Sequence, residues 1–385
     1  MQMKICNNYA KLDTSILDYE DLRIPINENN WRNIKKRSSN VALAITNRCN
    51  MFCKVCYAQN EEGGFSFDEM SLETIRQILS RIGKNKKILL LGGEPTLRDD
   101  LFDIIKVIKL SGNVPILYTN GIKLADENYV DKLIKAGVKK IFLSIDSLNE
   151  NIATRLRGDS TCHYSKLEAL NNLKRSGKIK VWLSVTVARN INEEEVKSLL
   201  DFALEHNNFI KGFIFTPCMS VGWYQLPTSA QLNSADLISI LNKLTNGVLE
   251  HRYFYEFNLL RYNLNLVLNK IGNNFPLYRN SVYLNVEQKS FKELISVEDL
   301  KKINYCFEKK QYFGLLKYVF RYNLWLFVWQ AIINPGSIED ISYRRPGLHI
   351  MIDEVKLPAV DLNSLAMTSI TLAAWQSNIF AVYTI

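Results

Sequence analysis

The sequence predicts an α/β fold in which a parallel sheet of six βα units is followed by a mainly helical C-terminal region. Short β-type runs alternate with amphipathic helical stretches through the first part of the chain, which is the pattern of βαβ units. The chain has 385 residues, about twice what six such units need, so a second region must follow them.

The six predicted strands are apolar runs of the kind that form a buried parallel sheet. They lie near residues 41–46, 88–91, 114–118, 140–146, 180–187 and 211–216. Ser71 is the predicted N-cap of a helix with one apolar face. Asn192 followed by Glu195 predicts a variant capping box, and Gly137 and Gly177 mark predicted helix ends.

The most informative motif is a loop with three cysteines, Cys49, Cys53 and Cys56, spaced CxxxCxxC. Thiolates on one short loop can ligate three irons of a [4Fe-4S] cluster and leave the fourth iron open to an outside ligand. The alternatives are half of a zinc site or chance thiols, but the chain offers no second ligand pair. The other cysteines are isolated: Cys6, Cys162, Cys218 and Cys306.

The cysteine count also bears on the cellular compartment. Seven cysteines in 385 residues, with no signal-peptide pattern, argue against a disulfide framework and predict a reducing cytoplasm.

Three polar or glycine-rich motifs follow predicted strands directly. Residues 92–96, Gly-Gly-Glu-Pro-Thr, come after the second strand, residues 119–121, Thr-Asn-Gly, after the third, and residues 144–146, Ser-Ile-Asp, close the fourth. Carboxyl ends of parallel strands meet at one edge of a sheet, where ligands usually bind. A pair of glycines also lets the backbone approach a ligand closely. The order of these motifs therefore predicts one site at the strand ends.

The cysteine loop and these strand-end motifs together resemble the radical S-adenosylmethionine (radical SAM) superfamily. The resemblance implies a partial (βα)6 radical SAM barrel with its active face at the strand carboxyl ends. It also implies two cofactors, a [4Fe-4S] cluster and S-adenosyl-L-methionine (SAM). In that family the open iron binds SAM, and an electron from the cluster cleaves SAM to a 5'-deoxyadenosyl radical. Cys49, Cys53 and Cys56 are then the cluster ligands.

The same resemblance implies which residues contact SAM at its methionyl end. The segment Gly92, Gly93, Glu94 and Pro95 is expected to position this end, with Glu94 near the ammonium group. Arg157 is expected to pair with the SAM carboxylate as a charge-assisted contact.

Other positions are assigned to the nucleoside end of SAM and to the substrate. Val55 and Tyr57 are expected to flank the adenine. Asn120, Ser144 and Asp146 are expected to line the ribose or the substrate.

One cysteine outside the loop is a candidate catalytic residue. Cys218 follows the sixth strand and is either a hydrogen-atom donor or a ligand in the active face. The alternative is a small buried apolar residue, which is the commoner role of a lone cysteine.

Further segments resemble one branch of the superfamily, the branch with tetraether lipid synthase and the class D radical SAM methylases. They are residues 56–58, 92–100, 210–222 and 348–352. This resemblance implies carbon-carbon bond formation or methylation at an unactivated carbon of a hydrophobic or pterin-like substrate. Two alternatives stay open: maturation of a ribosomally made peptide, and a noncatalytic cluster-bearing binding protein. Residues 360–385 contain no cysteine, so a further C-terminal cluster is not expected.

The chain divides, by prediction, into an N-terminal extension at 1–38, a radical SAM core at 39–230 and a C-terminal accessory region at 231–385. Lysine and arginine exceed aspartate and glutamate by 48 to 39, but the excess is dispersed, so no nucleic-acid partner is indicated. The expected partners are a small-molecule or lipid substrate and a reductant such as a ferredoxin or flavodoxin.

Residues 312–333 form the most apolar segment of the accessory region. Lys317 and Arg321, four residues apart, argue against a membrane-spanning helix. Three interpretations remain: a wall of an apolar substrate tunnel, an interfacial helix that contacts a membrane peripherally, and a helix buried between the two regions.

Overall fold

One large sheet organises the chain in the computed structural model, which describes residues 40–56, 69–158, 160–220, 223–269, 281–287, 289–322, 347–352 and 382–383. The strand order in this sheet is β10-β9-β11-β7-β6-β5-β4-β3-β1-β12, and β2 pairs with β8 in a separate ladder. The strands are β1 (Asn40–Thr46), β2 (Val55–Cys56), β3 (Lys87–Gly92), β4 (Val114–Thr119), β5 (Lys140–Ser144), β6 (Lys180–Val187), β7 (Ile210–Pro217), β8 (Trp223–Tyr224), β9 (Ser281–Glu287), β10 (Ser290–Glu293), β11 (Gly347–Ile352) and β12 (Val382–Tyr383).

Six parallel strands form the core of this sheet in chain order, β1, β3, β4, β5, β6 and β7. They coincide with the six predicted strands, with ends that shift by at most two residues. Because each of these strands is parallel to the next, all their carboxyl ends lie at one edge of the sheet. The predicted partial (βα)6 barrel is confirmed.

Helices connect these strands and continue into the accessory region. They are α1 (Leu72–Ile82), α2 (Leu101–Leu110), α3 (Glu127–Ala136), α4 (Glu150–Arg157), α5 (Thr161–Ser176), α6 (Glu195–Glu205), α7 (Ser234–Leu244), α8 (His251–Asn269), α9 (Val297–Glu308) and α10 (Leu316–Arg321). The Ser71 side chain caps α1 by accepting a hydrogen bond from the Thr74 amide at 3.1 Å. Gly137 and Gly177 end α3 and α5 in the left-handed region. These three predictions are confirmed.

The predicted capping box at Asn192 is wrong. Helix α6 begins after Glu194, and its N-cap makes no side-chain hydrogen bond. The buried Asn192 amide group instead joins two strand ends: it donates to the carbonyls of Asp146 and Thr186 and accepts from the Ala188 amide at 2.8 Å. A buried polar side chain must satisfy its hydrogen bonds, and here the backbone just after β5 and at the end of β6 supplies them.

The two faces of the parallel strands bury different side chains. The outer face packs aliphatic residues under the helices, whereas the inner face forms a small separate core. This inner core consists of Ala42, Ala44, Leu89, Ile116, Phe142, Trp182, Ile214 and Met351. Leu91 and Tyr118 pack against it one pleat nearer the carboxyl ends. This inner core is called the apolar floor below. It ends at Leu91 and Tyr118, and the inner-facing positions beyond them carry polar side chains.

The described part of the accessory region is mainly helical, as predicted, and it also adds strands to the large sheet. It contributes β9, β10 and β11 to the large sheet, and β11 pairs in parallel with β7. Strand β9 is antiparallel to β11 and buries Val282, Leu284 and Val286. An exposed edge strand is a liability, and these strands cover the edge of β7. The sheet therefore includes strands from both sides of residue 230. The domain boundary predicted at this residue stays a prediction.

The apolar segment at 312–333 is described only as far as Tyr322. A 3₁₀ turn at Tyr312–Leu315 leads into α10, where Phe313 and Phe320 are 91% and 74% exposed. Arg321 pairs with the carboxylate of Asp299 at 3.0 Å. No helix of the described residues is long and apolar enough to cross a membrane.

Candidate active site

The cysteine loop lies between β1 and β2 at the carboxyl edge of the sheet. Cys53 is buried, and Cys49 and Cys56 are half-buried against it. Backbone hydrogen bonds hold the loop on both sides: the Lys54 amide donates to the Leu156 carbonyl at 3.0 Å, and the Lys54 carbonyl accepts from Gln225 at 2.8 Å. These contacts anchor the loop at Lys54, between Cys53 and Cys56.

These thiols suit a cluster better than a single ion. Among the described residues, no three His, Cys, Asp or Glu side chains converge on one metal position. A four-iron cluster does not require such convergence, because each thiolate binds a different iron. Burial raises the pKa of the Cys49 thiol to about 12, and the charges of Glu94, Cys53 and Cys56 add to the effect. A thiolate here needs a bound cation, which irons would supply.

Gly92 and Gly93 bring β3 against the start of the cysteine loop. A Cβ at Gly92 would lie 2.2 Å from the Thr46 carbonyl oxygen, and one at Gly93 would lie 2.2 Å from the Arg48 carbonyl oxygen. The Gly93 amide donates to the Thr46 carbonyl at 2.8 Å. The close approach that the glycines permit is thus to the protein backbone that leads into Cys49.

Glu94 is 1% exposed and is held by hydrogen bonds from two strand ends. Its Oε1 accepts from the Thr96 amide and from the hydroxyls of Thr96 and Thr119. Its Oε2 accepts from the Asn120 amide at 2.6 Å. Burial raises the pKa of this carboxyl, while the hydrogen bonds lower it. The contacts link the end of β3 to the end of β4 and fix the carboxylate orientation.

Asn120 connects the end of β4 to the cysteine loop. Its side-chain amide donates to the Oδ1 of Asn50 at 2.8 Å, and its own Oδ1 accepts from the Ile122 amide at 3.0 Å. Glu94, Asn120 and Asn50, the residue after Cys49, therefore belong to one connected group of contacts.

Asp146 and Arg157 form a bidentate ion pair at the end of β5. Asp146 is 2% exposed, and its Oδ1 accepts from the Arg157 guanidinium at 2.8 Å and from the Thr186 amide at 2.8 Å. The Arg157 Nε donates to the other oxygen of Asp146. The guanidinium also lies within hydrogen-bonding reach of the Cys53 sulfur. These contacts are to protein groups, and the contacts predicted with SAM stay predictions.

Cys218 is buried behind this ion pair, 2% exposed, where it packs with Leu156, Ala188 and Ala230. Burial raises the pKa of the Cys218 thiol to about 11, and a hydrogen bond with Tyr224 lowers it. Its surroundings are those of a small apolar residue, and a hydrogen-donor role stays a prediction.

The remaining predicted site residues occupy separate positions. The Val55 side chain packs on the same apolar group as Cys218, while its backbone pairs with Tyr224. Pro95 opens a buried 3₁₀ turn after Glu94. Ser144 is half-buried and stands opposite Ser184 on the neighbouring strand. Tyr57 lies outside the described residues.

Two residues that the sequence analysis did not select lie against the cysteine loop. Cys162 packs with Met51 and Cys53, and Lys166, one helical turn later, is buried. The sequence contains a signal for Lys166, because this lysine lies at helical spacing within an apolar stripe of α5 that continues through Ala169, Leu170 and Leu173.

Residues 43–203 match the family model described as the Radical SAM superfamily. With the strand order and the cysteine loop described above, this match shows that the chain carries a radical SAM domain. The radical SAM domain therefore lies at residues 43–203, and proteins of this superfamily bind a [4Fe-4S] cluster and SAM.

Two curated relatives illustrate the similarity. The chain is 32% identical over 218 residues to the 7,8-dihydro-6-hydroxymethylpterin dimethyltransferase of Methanocaldococcus jannaschii, covering 55% of this chain and 43% of that protein. It is 29% identical over 178 residues to a probable GTP 3',8-cyclase of Pyrococcus horikoshii, covering 45% and 54%. The chain thus spans about half the length of these relatives.

Solved structures give weaker matches. Streptococcus suis SuiB bound to S-adenosylmethionine has a TM-score of 0.43 at 18% identity, covering 55% of this chain and 48% of that one. The enzyme anSMEcpe with bound AdoMet has a TM-score of 0.43 at 22% identity, covering 60% and 66%.

Proposed function

We propose that this radical SAM enzyme abstracts hydrogen from an unactivated carbon and thereby forms a carbon-carbon bond or methylates its substrate. The observation that carries the proposal is the connected group at the strand ends, in which the three-cysteine loop is joined through Asn50 and Asn120 to the buried carboxylate of Glu94. When bound, the cluster and SAM supply the electron and the 5'-deoxyadenosyl radical.

The chain's own groups hold and orient these cofactors. Cys49, Cys53 and Cys56 would provide the thiolates, and the Oε2 of Glu94 would accept a hydrogen bond from the SAM ammonium group. Oε2 receives one hydrogen bond within the described residues, from the Asn120 amide, so a carboxylate oxygen has acceptor capacity left for this contact. The Arg157 guanidinium, oriented by Asp146, supplies positive charge on the side of Cys53.

The substrate is proposed to be neutral and polar, as a pterin is. Above the apolar floor, the inner pleats of β4 to β7 carry hydroxyl groups rather than charges. They are Tyr118, Ser144, Ser184, Thr186 and Thr216. Hydroxyls both donate and accept hydrogen bonds, so they suit a heterocycle with mixed donors and acceptors. A nucleoside triphosphate would instead require several cations on these pleats.

Labelled SAM distinguishes the substrates and the reaction. The full chain with a reconstituted cluster and dithionite is incubated with SAM carrying a ¹³C-methyl group, together with either 7,8-dihydro-6-hydroxymethylpterin or GTP. The proposal predicts consumption of the pterin, with the label in the product if the reaction is methylation. Conversion of GTP alone would contradict the proposed substrate class, and conversion of neither would leave the peptide-maturation alternative favoured. The Cys53→Ala variant is the control.

Two accompanying predictions concern partners and location. In the cytoplasm, a low-potential donor such as a ferredoxin or flavodoxin is proposed to supply the electron that dithionite supplies in the assay. Peripheral membrane contact through the exposed Phe313 and Phe320 is a further proposal, which flotation with lipid vesicles tests.

A further inference from the structure

Helix α5 places a charged side chain in an apolar stripe beside the cysteine loop. Lys166 is only 5% exposed, on a face of α5 that buries Ala169 and Leu173 and, three residues before Lys166, His163. Burying an ammonium group without an accompanying anion is strongly unfavourable. A lysine at this position therefore needs an explanation other than packing.

The position of Lys166 relative to the cysteines follows from the helix geometry. Cys162 lies four residues earlier, so both side chains project from one face of α5. Cys162 packs against Met51 and Cys53, and the Arg157 guanidinium reaches the Cys53 sulfur from the preceding helix. Lys166 and Arg157 thus form the wall behind Cys53.

Within this wall the described charges do not balance. The Lys166 ammonium interacts electrostatically with Arg157, Asp146, Cys53 and Cys162. Asp146 is the carboxylate whose charge acts on it, but Asp146 is already engaged by Arg157 in a bidentate pair. Burial and the charge of Arg157 lower the pKa of Lys166, while Asp146, Cys53 and Cys162 raise it. Two cations therefore share one carboxylate in a buried place.

The [4Fe-4S] cluster, once bound by the three cysteines, would supply negative charge beside Lys166. Three thiolates outweigh the charge of an oxidised four-iron core, so the ligated cluster is anionic, and one-electron reduction makes it more so. The reduction potential of such a cluster depends on nearby charge, on hydrogen bonds to its sulfurs and on exposure. A fixed buried cation stabilises the reduced form more than the oxidised form.

We propose that Lys166 is the counter-charge of the cluster and raises its reduction potential. The inference rests on Cys49, Cys53 and Cys56 being the cluster ligands. Lys166 acts here through the electrostatic field and through no contact with a reacting atom.

The test is a redox titration of the reconstituted cluster, without SAM, monitored by electron paramagnetic resonance. The Lys166→Met variant keeps the length and apolar stem of the side chain and removes the charge. The matched control is Lys174→Met, because Lys174 is exposed on the same helix. The proposal predicts a shift of the midpoint potential to more negative values in Lys166→Met and none in Lys174→Met.

Three outcomes would overturn the proposal. The first is an unchanged midpoint potential in a fully loaded Lys166→Met protein. The second is an unchanged potential with weakened SAM binding, which would make Lys166 a ligand of SAM. The third concerns a Lys166→Met protein that fails to bind the cluster. In that case Lys166→Arg, which keeps the positive charge, should still bind the cluster. Equal loss of the cluster in both variants would assign Lys166 a packing role. None of these readouts requires turnover, so they are independent of the proposed reaction.

Discussion

Replacing Gly93 with alanine tests how the strand end controls the cysteine loop. The new Cβ would lie 2.2 Å from the Arg48 carbonyl oxygen, where real Cβ contacts are essentially never under 3.0 Å. The carbonyl, or the strand end facing it, must therefore move by about 0.8 Å. The obstacle is backbone and not the end of a flexible side chain, so no rotamer change relieves the clash.

The magnitude follows from what that carbonyl does. It accepts the hydrogen bond of the Glu94 amide at 2.7 Å, and a shift of about 0.8 Å away from the amide stretches this bond to about 3.5 Å, where little of its energy remains. A buried donor left without a partner costs about 1–3 kcal/mol, and forcing an extra carbon into a packed site costs about 1–3 kcal/mol. We expect Gly93→Ala to lower the free energy of unfolding by about 2–6 kcal/mol. Because Arg48 precedes Cys49, iron loading should fall as well.

The assay is urea denaturation of the apoprotein, followed by iron and sulfide analysis after anaerobic reconstitution. Gly177→Ala is the matched control, because an added Cβ there meets nothing within 4 Å. It carries only the left-handed backbone penalty, about 1 kcal/mol. Equal stability of Gly93→Ala and the native chain, with full iron content, would refute the argument that this contact fixes the loop.

Three other substitutions give separate tests. Glu94→Ala should weaken SAM binding while the cluster stays intact, since no cysteine thiol is hydrogen-bonded to the carboxylate within the described residues, and unchanged affinity in a SAM titration would remove Glu94 from that role. Asp146→Asn should lower the free energy of unfolding by about 3 kcal/mol, because the buried Arg157 loses its counter-ion; an unchanged urea midpoint would show that the pair is dispensable. Burial, with a smaller effect from Lys180, lowers the pKa of Lys211 to about 8. The unfolded chain then binds more protons between about pH 8 and pH 10, so stability rises with pH there by up to about 3 kcal/mol. Lys211→Met should abolish that rise, and a parallel pH profile in the variant would contradict the assignment.

The features that could be predicted from the sequence depend on local signals. Each parallel strand is a short apolar run, and its end is marked by the polar or glycine residue that follows. The helix ends at Gly137 and Gly177 require only a residue that tolerates the left-handed backbone region. The Ser71 cap requires only a hydrogen bond from the first turn of its own helix.

The features that escaped prediction depend on contacts distant in sequence. Asn192 has the composition of a helix cap, yet its side chain bonds to the carbonyl of Asp146, 46 residues away. Nothing near Gly93 indicates that its neighbour would be the Arg48 carbonyl. Strands β9 and β11 alternate weakly in sequence, and the uncovered edge of β7 determines their pairing.

Lys166 illustrates an intermediate case. Its place in the apolar stripe of α5 is visible in the sequence, and an anomalous charge in a buried stripe is a signal in itself. The reason for the charge required knowing that α5 packs against Cys53. Periodicity therefore identifies such a residue, and tertiary contacts explain it.

The central claim is that the three cysteines hold a cluster that cleaves SAM. The most direct measurement is chromatographic detection of 5'-deoxyadenosine after anaerobic purification, reconstitution with iron and sulfide, and addition of dithionite and SAM. The account predicts 5'-deoxyadenosine from the native chain, and neither this product nor normal iron content from Cys53→Ala. Absence of the product from a native chain with a four-iron cluster and its substrate present, or normal iron content in Cys53→Ala, would contradict it.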